Sequence, residues 1–414
     1  MQGRFIFQKK PNKSLISIII GMYPLLAVYI SPIPHLDLGG FLLVLYIIYS
    51  VAGKNGYRFW VRKECKVNPW YFYVFGMTIM SLFLQLFVPL PYNLSISTVL
   101  LRYFKYLLLM GGLILCIRRR DLHIEDCIWA VRGVVHFSFY MVVIQQMVYF
   151  LTGHKISNIL LYVSMHEEYI GAGRVTNGIF RPSALFYEPS HLAQYCLIYL
   201  VYVLFREKKN INIKELAYVA ITILLTGSGI GLIVMAALVA LWAFSFSSYS
   251  QKKMIITMLM IIAGVRLLFT NFVQAILVRI FTANVEFGGN AVAARIGFGY
   301  GKWMELPIMY KLIGTGFGNL ATGGYMNGME CMLNATGIIG CLFFLFMLYK
   351  TGRKAARWQR MLLLTYFVLL LGSSLFNVNY FVIFLTLGGC VFGARQDNTE
   401  DISDYRIKTN THYC

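Results

Sequence analysis

Apolar runs long enough to cross a bilayer recur along the whole chain, and they leave few folds open to it. A spanning helix needs about 20 mainly apolar residues, because hydrocarbon offers no water to a backbone that is not hydrogen-bonded to itself. Hydrophobic residues make up 58% of the 414 residues and the mean hydropathy is +0.65, above the roughly 45–50% of a soluble domain. The sequence therefore predicts an all-α, polytopic integral membrane protein with no separate soluble domain. The first run, Leu15 to Ile30, follows a basic start and shows no small-residue cleavage site. It reads as the first span rather than a removed leader.

Basic clusters give the orientation. They are Arg4/Lys9/Lys10/Lys13, Lys54/Arg58/Arg62/Lys63/Lys66, Arg118/Arg119/Arg120, Arg206/Lys208/Lys209, Lys252/Lys253 and Arg353/Lys354/Arg357/Arg360. Cytoplasmic loops carry the excess of Lys and Arg, so an even number of spans must separate successive clusters. Spans near 15–31, 37–53, 70–90, 99–117, 127–151, 190–205, 215–226, 230–247, 254–270, 331–350, 361–375 and 380–394 meet that condition. They make about twelve crossings, with both termini cytoplasmic. The pairs 215–226/230–247 and 361–375/380–394 each read as one long span or two short ones. Residues 1–394 form a single membrane domain in this reading, and 395–414 a polar cytoplasmic tail.

The net charge of +20 belongs to these anchoring loops and does not imply nucleic acid. Some of it is placed to meet anionic lipid. The eight cysteines include no CxxC and sit in spans or beside basic loops, so neither disulfides nor a metal site is expected.

Two outside loops are long, about 152–189 and 271–330. The first ends in RVTNGIFRPSALFYEPSHLAQY, residues 174–195, which sets Arg174, Arg181, Glu188 and His191 just before an apolar span. Pro189 suits the first turn of a helix. Glu188 then lies near its cap and His191 in its opening turn, where either can act as acid or base. Capping and hydrogen bonding are their plain alternative. The second loop holds Arg279, Arg295, Lys302, Trp303, Asn319 and Asn327. Arg295 and Lys302 are seven apart and would share a face on a helix. Its run GTGFGN, Gly314 to Asn319, lacks the ending of a P-loop and reads as a flexible re-entrant connection.

A single loop arginine is ordinarily solvated or an interfacial anchor. Four in the two long outside loops (Arg174, Arg181, Arg279 and Arg295) read as an anion clamp, since a guanidinium stays charged and grips phosphate with two N–H groups. Arg102, Lys105 and Arg266 sit in the outer parts of spans and are expected to snorkel. No DxD occurs, and the outside loops hold no Asp, which argues against a metal-held nucleotide sugar. The residues suit a cofactor-free, metal-free site for a lipid-linked pyrophosphate donor, with arginine neutralising the leaving group.

At these residues the chain resembles the O-antigen and capsular polysaccharide polymerases (Wzy-type) of the O-antigen ligase/polymerase superfamily. Arg181 to Ala193 match R-x-S-x-x-F-x-E-P-S-H-x-A, and Thr226 and Ser228 match a short Thr-x-Ser pair between two spans. Arg295, Gly297, Trp303, Gly314, Gly316, Gly318, Asn319, Asn327, Gly337 and Gly340 match a late glycine-rich pattern. The likeness covers about 175–345. Two features depart from it. Tyr325-Met326-Asn327 lacks the His of many ligases, which favours polymerase over ligase, and Ser228 is followed by Gly229 rather than Arg.

The resemblance implies a metal-independent, GT-C-type glycosyltransferase that joins repeat units on undecaprenyl pyrophosphate at the outer face of the bacterial inner membrane. It implies that Arg181 and Arg295 hold the pyrophosphate while Glu188 or His191 orients or deprotonates the acceptor hydroxyl. Arg174, Arg279, Lys302, Trp303, Asn319 and Asn327 would contact substrate. A chain-length regulator remains an open partner. A ligase, a flippase for the same lipid-linked units and a structural envelope factor are the competing readings. The near absence of acids from the spans counts against a flippase.

Overall fold

Every predicted apolar run becomes a helix, except 254–270, which lies outside the described residues. The computed structural model describes residues 14–29, 36–52, 68–85, 87–88, 96–119, 121–156, 174–176, 179–206, 212–244, 283–284, 289–290, 297–320, 326–373 and 378–390. They fall into two compact units. One comprises 1–46, 121–294 and 377–387, and the other 47–120, 295–376 and 388–414. Among the described residues, Val99–Ile117, Ile124–Thr152 and Gly328–Lys354 are long and apolar enough to cross a membrane.

The first unit is built from α1 (Leu15–Leu26), α5 (Ile124–Thr152), α6 (Pro189–Phe205), α7 (Ile213–Thr226), α8 (Gly229–Phe244) and α13 (Val378–Leu387). A two-stranded hairpin, β1 (Arg174–Thr176) with β2 (Ile179–Arg181), precedes α6. The 215–226/230–247 pair resolves into two short helices, because Gly227 ends α7 in a left-handed turn (φ 56°). α6 is apolar all round and buried almost throughout, from Leu192 to Phe205. It packs against α5, α7 and α8. α13 is likewise buried from Tyr380 to Leu387 and packs on α1 and α5.

α5 has two apolar faces. Val131, Val135 and Val142 are buried on one, while Trp129, Phe137, Tyr140, Ile144, Met147 and Leu151 are exposed on the other. A helix in water would make that second face polar. In hydrocarbon, burial of apolar surface no longer drives helices together, and close packing at small residues takes over. The crossings carry that signature. A Cβ on Gly21 of α1 would stand 2.6 Å from the Cys127 carbonyl oxygen of α5, and one on Gly231 of α8 would stand 2.7 Å from the Cβ of Ala193 on α6. Gly231→Ala should therefore destabilise the detergent-solubilised protein by about 1–3 kcal/mol, the usual effect of overpacking. Ala193→Gly in the same chain should recover most of the loss. Effects that merely add would mean that the two residues do not meet.

The second unit holds α3 (Pro69–Leu84), α4 (Ile96–Arg119), α9 (Phe298–Glu305), α10 (Ile308–Ile313), a 3-10 turn at Phe317–Asn319, α11 (Gly328–Lys354) and α12 (Arg357–Gly372). The boundary between the units falls within α2 (Leu38–Ala52). A further strand pair of the first unit, β3 (Ala283–Asn284) and β4 (Gly289–Asn290), lies in the predicted second outside loop.

The glycine-rich run is not the flexible connection its composition suggested. α11 is interrupted at Gly337 (φ 64°, ψ −175°). The amides of Thr315 and Gly316 donate to the carbonyls of Asn334 (2.8 Å) and Ala335 (2.9 Å) beside that break. A broken helix is tolerable where other backbone satisfies its freed groups. Gly314 (φ 86°) and Gly337 lie so close to each other's backbone segments that a Cβ on Gly314 would fall on the Ala335 carbonyl, and one on Gly337 on the Leu312 carbonyl. The glycines are there for this approach.

Candidate functional site in the first unit

The hairpin brings Arg181 to the start of the loop that enters α6, with Arg174 as its direct cross-strand partner. Phe180 stacks on Tyr149 of α5 (4.5 Å between ring centroids) and fixes the strand. Arg181 is only 6% exposed. Its Nε donates to the Thr226 carbonyl at 3.1 Å, and its side chain lies 3.4 Å from where a Cβ on Gly227 would stand. The guanidinium therefore sits at the C-terminal end of α7, where the helix dipole is negative and the last carbonyls lack helical partners. This end of α7 stabilises a buried cation.

The loop after Arg181 is held in an unusual shape. Ala184 is buried and left-handed (φ 49°), a conformation that costs a non-glycine residue roughly 1–2 kcal/mol. Gln145 of α5 clamps it from both sides. Its Oε1 accepts from the Ala184 amide at 3.0 Å, and its Nε2 donates to the Ala184 carbonyl at 3.3 Å. Tyr29 donates to the Leu185 carbonyl at 3.3 Å. Strain kept in place by surrounding structure gathers at functional sites, and here it fixes the approach from Arg181 to α6.

At the mouth of α6, Pro189 takes the first helical position and Glu188 the cap, as expected, although the Glu188 side chain makes no capping bond. It accepts from the Ser190 hydroxyl at 3.0 Å. The His191 ring lies between Tyr187 and Tyr380, each 5.8 Å away by centroid, and Tyr380 donates to the His191 carbonyl at 2.8 Å. Ser228 opens α8, its Oγ accepting from the Gly231 amide at 3.4 Å, and Gly231 meets Ala193 one half-turn beyond His191. Two motifs far apart in sequence, Arg181–Ala193 and Thr226–Ser228, are thus packed side by side. The arrangement gathers a guanidinium, a carboxylate and an imidazole, groups whose chemistry is anion binding and proton transfer.

The candidates in the second loop have different surroundings. Arg279 and Arg295 lie outside the described residues, as does Arg266, and only the backbone of Arg174 is described. α9 begins at Phe298 after Gly297 (φ 119°) and carries Lys302, while the expected face shared with Arg295 lies outside the described residues. Lys302 pairs with Glu305 at 2.9 Å on the surface. Asn319 is buried and donates to the Tyr103 hydroxyl (2.8 Å) and the Thr315 carbonyl (3.1 Å). Asn327 caps α11 in a reciprocal capping box with Glu330. Both asparagines thus have structural partners. Trp303 stacks on Tyr300 (5.8 Å), and its Nε1 is buried with no acceptor among the described residues. Arg102 does not simply snorkel: its Nη1 donates to the Leu320 carbonyl at 3.2 Å.

Sequence reasoning missed three contributors. Gln145 was visible as half of a Gln145-Gln146 pair inside an apolar run, which is itself a signal. Tyr380 carried none. Glu215, at the first turn of α7, is buried and accepts from Arg132 and His136 of α5 (the latter at 2.6 Å) and from Tyr199 of α6 at 2.9 Å. It is one acid at the edge of spans that the sequence reads as almost free of acids. No family model matches the chain, and neither does any curated protein or solved structure.

Proposed function

We infer that the chain is a polysaccharide polymerase, a GT-C-type glycosyltransferase that crosses the bacterial plasma membrane about twelve times with both termini in the cytoplasm. It joins oligosaccharide repeat units carried on undecaprenyl pyrophosphate at the outer face. The observation that supports this most is Arg181, a buried guanidinium at the C-terminal end of α7, packed beside the helix mouth that carries Glu188 and His191. In the reaction, the bond between the donor's anomeric carbon and the pyrophosphate oxygen breaks. A bond from that carbon to the acceptor hydroxyl oxygen forms. The hydroxyl proton passes to Glu188 or His191, and undecaprenyl pyrophosphate leaves with its charge countered by Arg181.

A deletion strain tests this. Surface glycan should stop at one repeat unit. Long chains trapped on the lipid carrier would instead identify a ligase. The flippase reading gains from Glu215, because a buried carboxylate with Arg132 and His136 inside a helical bundle is what transporters of charged cargo use. Repeat units accumulating on the cytoplasmic side of the deletion strain would establish that reading and end the polymerase one.

A further inference from the structure

A cavity of about 410 Å³ lies in the first unit, at the end of α6 away from His191. Arg206, which caps the C-terminus of α6, is fifteen residues from His191, or about 22 Å along a helix. The walls include Glu125, Trp129 and Arg132 of α5, Tyr202 and Arg206 at the end of α6, and Glu215 of α7. Its volume is within the usual range for ligand pockets, and none of these residues belongs to the proposed catalytic surface.

The balance of used and unused groups indicates what it takes. Two of the three carboxylates are engaged: Glu215 has three donors and Asp126 accepts the Ser14 amide at 2.9 Å, while Glu125 lies 3.9 Å from Arg206. The guanidiniums are not saturated. Arg132 gives one Nη to Glu215, and its other N–H groups meet no protein acceptor among the described residues. Arg206 stacks over Tyr202 at 4.8 Å and approaches Glu125 only to 3.9 Å, beyond hydrogen-bond reach. Two guanidiniums with spare donors line one cavity, and a guanidinium grips a tetrahedral oxyanion with two N–H groups. Trp129, half exposed beside them, is the kind of residue that settles at headgroup depth.

We propose that this cavity binds a phosphate group, with Arg206 and the remaining N–H groups of Arg132 as its donors. The phosphate belongs to an anionic phospholipid of the cytoplasmic leaflet or to a free phosphate compound, and the chemistry is the same for both. The site is independent of whether the chain is a polymerase.

The test uses the full chain in neutral detergent, with its melting temperature followed during titration by phosphatidylglycerol in mixed micelles and, separately, by inorganic phosphate. The wild type should show a saturable rise with at least one probe. Arg206→Gln should need about tenfold more of that probe, the loss of a charge-assisted contact, and Arg206→Lys should fall between. Arg206 is the better target because Arg132→Gln would strip the buried Glu215 of its ion pair. Arg360→Gln, on an exposed arginine of the second unit, should titrate as wild type. Saturation by phosphatidylglycerol alone assigns the lipid, and saturation by inorganic phosphate assigns a free compound. No saturable rise with either probe overturns the proposal. So does a rise that Arg206→Gln leaves unchanged, or one that Arg360→Gln weakens equally.

Discussion

Cells whose only copy carries Arg181→Ala are expected to display single repeat units in place of a ladder, at wild-type levels of the protein. Removing one preorganised contact to charge that develops in a transition state typically lowers turnover by about 10²–10³-fold, enough to abolish a ladder that needs many successive transfers. The structural effect is smaller. The substitution removes the hydrogen bond to the Thr226 carbonyl, and leaving a buried acceptor unpaired costs about 1–3 kcal/mol. Arg181→Lys separates the two contributions, since it keeps the charge at the end of α7 but not the planar fork. It should give short ladders. A full-length ladder from Arg181→Ala would remove the basis of the proposed mechanism, whatever the fate of the lysine variant.

Gly337→Ala should be the most damaging one-methyl change in the second unit. Two effects add. The residue sits at φ 64° and ψ −175°, a region open essentially to glycine alone, at about 1–3 kcal/mol for any other residue. Its new Cβ would also meet the Leu312 carbonyl and, at 2.6 Å, the Gly314 amide nitrogen. These are backbone atoms of a segment tied to α11 through Thr315 and Gly316, so they cannot rotate away as a side chain would. A loss of more than about 3 kcal/mol follows, read as a lower melting temperature or loss of monodisperse protein in detergent. Gly352→Ala, later in the same helix, is the control: its Cβ would find its nearest neighbour at 4.0 Å. Equal effects at both positions would show that the interruption of α11 carries no special strain.

The elements were legible wherever one signal determined them. Apolar length fixed most helices, Pro189 fixed the start of α6, and Gly227 gave the break between α7 and α8. Pairings between distant residues were not legible. Arg132, His136, Tyr199 and Glu215 meet across three helices, and no local pattern in any of those helices announces the others. GTGFGN looked flexible because glycine permits motion, yet here glycine permits contact, and the two uses read alike without knowledge of what lies opposite. The site was visible as a list of residue types. That Arg181 would meet the α7 terminus while Asn319 and Asn327 served the fold depended on neighbours more than a helix away. The left-handed Ala184 had no sequence sign at all, since alanine is ordinarily a helix former.

The packing of α13 against α1 bears on how the chain is made. Residues Leu15–Leu26 leave the ribosome early and Val378–Leu387 late, yet each covers part of the other. The chain visits the first unit, passes to the second and returns twice before that contact can form. Until α13 arrives, the first unit lacks one wall, however well its other helices have assembled. A chain halted anywhere before residue 378 therefore shows the membrane a face that the finished protein never shows. Closure of α1 by α13 therefore waits on synthesis of every element between them.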